Sequence, residues 1–320
     1  MIRLKQVKQE NNFSCSIVQL SEPYHIEYFY VWQNTELKKR FLRKPNAAEP
    51  SDQFASLAAQ CERFDLPQYA GLSWRAVSRC EATQGHSNEE AIALMKAGQL
   101  YLLANKKSLF GGEEHVHAGT KCLDEAEQLL GEENPLSATV CLQTGDALKD
   151  VAPHKACAYF TRACKLLEHT PQLLLIAQGS LASVMISLGE HHDALNLFTE
   201  MVNTVSKITT RPYGVYNGIL VRCEISRVLL ILLLKPTPQK ISSDLAKLVE
   251  KYTWIGEPDP KTTSWLGEEL FFLLQSLVMS CQCQDLNAVK DLEGDLWKYL
   301  NLEQRELLDS IIRDMNNSER

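Results

Sequence analysis

The stretch GEHHDALNLFTEMV, residues 189–202, places Gly189 ahead of Ala194, Phe198 and Met201. Apolar side chains three and four positions apart share one face of an α-helix, whereas a strand would scatter them to both sides of its sheet. The pattern recurs upstream. HKACAYFTRACKLL (154–167) sets Ala156, Phe160 and Ala163 at the same spacing, with Ala156 38 residues before Ala194. EEAIALMKAG (89–98) is a looser copy with Ala91, Met95 and Gly98. The small residue lets two helices approach, and the aromatic residue four positions on fills the gap beside it.

That is the pattern of the second half of a tetratricopeptide repeat. The offset of 38 exceeds the usual repeat of about 34, and no copy carries the full signature, so the array is tetratricopeptide-like. Outward from these copies, helical periodicity dominates and strand signals are nearly absent. Residues 52–63 align Phe54, Leu57, Ala58 and Cys61, with Ser51 as the expected N-cap, and 68–80 align Tyr69, Leu72, Ala76 and Cys80. Ser87 and Glu90 read as a capping box for the helix that follows. Further helices are predicted over 114–130, 136–149, 154–168, 171–188, 192–207, 218–235, 242–252, 266–283, 285–298 and 302–315. Thr170 before Pro171 reads as a cap with proline in the first turn, and Asn301 with Gln304 marks the last start. The expected fold is all-α, a tetratricopeptide-like array of helical hairpins, or α-solenoid. Its organisation reads as a flexible tail at 1–27, the array at 28–207, a loop at 208–217 (ITTRPYGVYN), and a C-terminal helical part of the same superhelix at 218–320. A second Pro/Gly/Thr loop is expected at 254–265.

Charge is unevenly spread over the 320 residues, whose formal net charge is −7. Residues 1–50 hold 8 Lys and Arg against 5 Asp and Glu, and residues 51–320 hold 25 against 35. An acidic body argues against nucleic acid as a partner. The basic exception is ELKKRFLRKPN (36–46), with Lys38, Lys39, Arg40, Arg43 and Lys44. Tyr28, Trp32, Leu37 and Phe41 recur there at helical spacing and Pro45 ends the segment, so it reads as a short amphipathic helix. Such a face is solvated, docks on an acidic partner, or serves nuclear import or phosphate binding.

The ten cysteines lie mostly in apolar runs, where thiols act as small buried hydrophobes, and reduced cysteines of a cytosolic protein are expected. Cys281 and Cys283 have no second ligand pair at zinc spacing, and His115 and His117 fall on different helix faces. Neither reads as a metal site. No Walker or dinucleotide fingerprint occurs, and no nucleophile stands with an orienting partner, so neither an enzyme nor a cofactor is expected. The apolar run VLLILLL (228–234) is seven residues long, far short of the roughly 20 a membrane span needs. The helix around it is apolar nearly all round after residue 227. It is either a central core helix or one partly buried on a partner.

Four stretches, ELKKRFLRKPNAAE (36–49), GILVRCEISRVLLILLLKPTP (218–238), LVEKYTW (248–254) and EELFFLLQSLVM (268–279), resemble segments of the forty-kilodalton huntingtin-associated (factor VIII intron-encoded) protein family. The resemblance spans about residues 36–315. Residues 1–27 do not look like the Gly/Ala-rich family N-terminus, and the loop at 208–217 is shorter than the proline-rich vertebrate insert. The resemblance implies a scaffold subunit that binds and stabilises huntingtin as a stable heterodimer, packed between its HEAT-repeat arrays. It also implies a link to early-endosome traffic through the small GTPase Rab5, and cytoplasmic, nuclear and endosomal pools. A general tetratricopeptide adaptor for peptide tails is the competing reading. Candidate partner-binding residues are Lys38, Lys39, Arg40, Phe41, Arg43, Lys44, Arg222, Glu224, Arg227 and Trp254. Glu224 and Arg227 can pair along the helix, or either arginine can reach a partner's carboxylate.

Overall fold

A computed structural model describes residues 47–107, 113–131, 134–208, 214–236, 243–253 and 264–318. Among these residues there is no strand, and thirteen helices follow one another, with one further helical turn at 264–266. We number them α1 (Ala48–Arg63), α2 (Pro67–Gln84), α3 (Ser87–Lys107), α4 (Glu113–Leu130), α5 (Pro135–Leu148), α6 (Pro153–Leu166), α7 (Pro171–Ser187), α8 (His191–Ile208), α9 (Asn217–Leu234), α10 (Ser243–Thr253), α11 (Glu268–Gln282), α12 (Leu286–Leu296) and α13 (Leu302–Ser318). The all-α expectation holds. The chain separates into two compact units, with the division at Val140 and Cys141, inside α5.

In the first unit each helix packs on the next, α1 on α2, α2 on α3 and α3 on α4. Small residues make that possible. A Cβ on Gly98 would lie 2.5 Å from Leu123 Cγ, and one on Gly119 would lie 2.9 Å from Leu102 Cγ, so α3 and α4 touch almost backbone to backbone. Phe54, Val77, Leu94 and Tyr101 fill the remaining volume.

The second unit begins in the same way. α6 packs on α7, α7 on α8 and α8 on α9. Phe160 and Phe198, the aromatic residues of the two repeat copies, are fully buried. The Phe160 ring lies against Gly145 of α5, where a Cβ would approach its Cε1 to 2.8 Å. Gly189 ends α7 with φ +77°, and the Glu190 N–H returns to the Met185 carbonyl at 2.9 Å, the bond of a Schellman turn. The neighbour-on-neighbour rule then breaks. α9 contacts α11 and α13 as well as α8, and α13 also reaches α7. Leu307, Leu308, Ile311 and Met315 of α13 join one continuous core with Leu229 and Leu230 of α9. α9 is therefore a central helix of the protein's own core, which accounts for a sequence apolar on every side.

Helix starts differ from expectation at three places. α1 begins at Ala48, and Ser51 lies inside it, its amide bonded to Ala47 O and its buried hydroxyl donating to Glu81 Oε1 of α2. α3 begins at Ser87, with the Glu90 amide bonded to His86 O, so His86 holds the cap position. Thr170 precedes Pro171 as expected, but its hydroxyl donates backward to Leu167 O and caps nothing. Asn301 and Gln304 do form a reciprocal capping box, with amide-to-side-chain bonds of 3.0 and 2.9 Å. Residues 264 and 265, expected in a loop, form the single helical turn together with 266, and the helix expected from 266 begins at Glu268.

Candidate partner-binding site

Three charged residues interrupt α9, Arg222, Glu224 and Arg227. At about 100° per residue, Arg222 points to one side of the helix, and Glu224 and Arg227 project together from another. Each side meets a different neighbour.

The Arg222 side faces α7 and α13. Arg222 Nη2 donates to Gly179 O at 3.0 Å, Ser183 Oγ at 2.8 Å and Glu303 Oε2 at 3.2 Å. Ser183 in turn donates to Glu303 Oε1 at 2.6 Å. The next residue of α13, Gln304, donates to Arg222 O at 3.2 Å and Ser226 Oγ at 3.0 Å. The guanidinium also lies 5.8 Å from the centre of the Phe198 ring. Charge-assisted bonds of this kind are stronger than neutral ones, and here they tie three helices at one point.

The Glu224 side faces α10. Glu224 Oε1 accepts from Lys251 Nζ and from the Tyr252 hydroxyl, the latter at 3.0 Å, while Arg227 Nη1 lies 3.7 Å from Oε2. Glu224 and Arg227 are buried, and Lys251 is a quarter exposed beneath the Tyr252 and Trp265 rings. Burial, and then the Glu224 charge, pushes the Tyr252 phenol far above its ordinary value, so it keeps its proton and donates. Burial likewise pushes the Cys223 thiol up to about 12. Neither group supplies an anionic nucleophile at neutral pH. The arrangement holds charge between helices.

Of the candidates, Glu224 and Arg227 are buried beside one another, Arg222 is 30% exposed and hydrogen-bonds to α7 and α13, and Lys38, Lys39, Arg40, Phe41, Arg43, Lys44 and Trp254 lie outside the described residues. Different side chains face outward. On α7, Leu173 and Ile176 project one turn apart, with Ile176 56% exposed. At the turn from α12 to α13, Leu302 is 71% exposed and Trp297 50%. The Trp297 ring is held under the Arg305 guanidinium at 4.0 Å, and Arg305 Nη2 also donates to Trp297 O at 2.8 Å. A pre-ordered aromatic side chain contributes contact area at low entropic cost. Trp297 had a sequence signal of its own. It stands one residue past the buried positions Leu286, Val289 and Leu296 and so leaves the apolar stripe.

Nine cysteines lie among the described residues, all free, and no group of three or more potential metal ligands occurs there. No described helix is long and apolar enough to cross a membrane.

No family model matches the chain. Two curated relatives do. The 40-kDa huntingtin-associated protein of Mus musculus is 32% identical over an alignment of 344 positions, covering 88% of this chain and 90% of that protein. The chain belongs to the family of the 40-kDa huntingtin-associated protein. The Rattus norvegicus member is 31% identical over the same coverage. The part of the chain left unaligned is shorter than either compact unit, so the likeness to this family reaches into both.

Proposed function

We propose that the chain is a non-enzymatic scaffold subunit that binds and stabilises huntingtin, packing between its HEAT-repeat arrays as one half of a stable heterodimer. Kinship over 88% of the chain with proteins named for their association with huntingtin carries this reading. Ile176, Trp297 and Leu302, exposed among the described residues, are the side chains offered to that contact. The role extends to early-endosome traffic through Rab5, with cytoplasmic and nuclear pools. Lys38, Lys39, Arg40, Phe41, Arg43, Lys44 and Trp254 are further partner contacts in this reading, with the cations set against acidic groups of the partner.

A partner that binds the folded chain alone raises its apparent stability, by about 2.7 kcal/mol at a concentration one hundred times Kd. Pull-down of the tagged chain from native lysate followed by size-exclusion chromatography tests the proposal. Co-elution with huntingtin, and a longer half-life of the chain when the two are co-expressed, are the expected results. A chain that elutes alone and gains nothing from co-expression overturns the reading. Capture of short peptide tails in its place would favour a general tetratricopeptide adaptor.

A further inference from the structure

Arg227 is the least satisfied charge in the described core. The residue is 6% exposed, its Nε is sealed from solvent without a partner, and Glu224 stands 3.7 Å away, beyond hydrogen-bond reach. Arg222 also has a sealed Nε, but its Nη2 donates to three acceptors. Arginine cannot shed its proton to escape such a position. Glu224, the cluster's single carboxylate among the described residues, is already engaged at Oε1 by Lys251 and Tyr252. Two cations therefore share one anion, and Tyr252 brings a hydroxyl that stays neutral. A buried guanidinium with no hydrogen-bonded anion is poorly compensated, and a carboxylate that paired with it would complete the cluster.

We infer that the Glu224–Arg227–Lys251 cluster between α9 and α10 is a receptor for one further carboxylate, taken up by the Arg227 guanidinium. A guanidinium presents two parallel N–H groups that match the two oxygens of a carboxylate. Lys251 marks the solvent side of the cluster, and the Tyr252 and Trp265 rings around it exclude water and strengthen the attraction. The carboxylate is borne by a small metabolite or by an acidic side chain of a partner.

The test uses the full chain without any partner, so its outcome does not depend on huntingtin binding. Thermal unfolding is followed while sodium formate replaces sodium chloride at constant ionic strength. The expected result is a saturable rise of a few degrees in the midpoint, absent in Arg227→Met. Glu224→Gln, which removes the competing carboxylate, should saturate at several-fold lower formate. No saturable rise in the unmodified chain overturns the inference, as does a rise that survives in Arg227→Met. If Arg227→Met does not fold, an unchanged formate affinity in Glu224→Gln overturns it equally. Repeating the titration on a complex with huntingtin assigns the source. A response retained there marks a free carboxylate, and a response lost marks a partner's side chain.

Discussion

Gly179 and Arg222 are mutually dependent: a Cβ at position 179 would lie 2.9 Å from Arg222 Nη1, so the guanidinium occupies the space that any other residue would need. The missing side chain on α7 is what lets an arginine of α9 reach its backbone carbonyl and the carboxylate of α13. Gly179→Ala should therefore destabilise the chain by about 1 kcal/mol through displacement of Arg222 from its part-buried acceptors. This is despite alanine being the better helix former by about 1 kcal/mol. Chemical denaturation checks it, and a stabilised variant would show that Arg222 contributes little.

Phe160 and Phe198 fill equivalent gaps in two repeat copies. Either Phe→Ala substitution should cost about 3–5 kcal/mol. Gly145→Ala should also destabilise, because its methyl group would press on the Phe160 ring. In the Phe160→Ala background that penalty should shrink. A double-mutant cycle in urea measures the coupling.

Glu269 of α11 accepts from Lys298 Nζ at 2.6 Å and from the Tyr299 hydroxyl at 2.7 Å. The bond from Lys298, and then that from Tyr299, holds the Glu269 carboxyl below its ordinary value of 4.5, and the bonds to Glu269 raise both donors. A lowered carboxyl pKa means stability that is present above 4.5 and fades as pH falls below it. Raised donors mean stability present below their ordinary values of 10.0 and 10.5 and lost at higher pH. Glu269→Gln should flatten both limbs of the stability–pH curve and leave unfolding at pH 7 to 8 little changed, since all three groups are exposed.

Burial pushes the thiols of Cys61, Cys80 and Cys122 up to about 11 and that of Cys223 to about 12. Cys283 is exposed. In a Cys15→Ala background, a thiol reagent at pH 7.5 should label Cys283 first and reach those four at unfolding-limited rates. Mass spectrometry of quenched samples resolves the order. Early labelling of Cys223 would mean that the core around α9 opens far more readily than its packing implies.

Leu302 and Ile176 are exposed and bond to nothing essential in the fold. Leu302→Glu with Ile176→Glu should change stability by no more than about 0.5 kcal/mol each. Their combination should weaken huntingtin capture at least tenfold if these faces belong to the contact. Parallel denaturation and pull-down separate the two effects.

Much of the helical layout was legible because an amphipathic stripe is a local signal. Phe54, Leu57, Ala58 and Cys61 lie four positions or fewer from their neighbours in the pattern, and all are buried. Cap positions were less legible. Ser51 looks like a cap because serine competes for backbone amides, but here its hydroxyl is used by Glu81, 30 residues away. The same limit hid the role of Arg222, whose acceptors lie 39 to 81 residues distant. Nothing local shows that α13 returns to α9, because repeat logic pairs each helix with its successor. The outward-facing Trp297 was detectable as a break in its stripe, whereas Arg227 carries no sequence mark of an unmet charge.

The return of α13 sets an order of events during synthesis. Leu302 lies 68 residues after Leu234, the end of α9. At about 5–20 residues per second, a ribosome needs roughly 3–14 s to cover that distance. Throughout that interval the α9 surface destined for Leu307, Leu308 and Ile311 has no cover, and Arg222 lacks the Glu303 carboxylate. A nascent chain cut short before α13 displays the apolar side chains of α9 to chaperones and proteases. Cover for the centre of this core thus arrives only after every helix before α13 has been made.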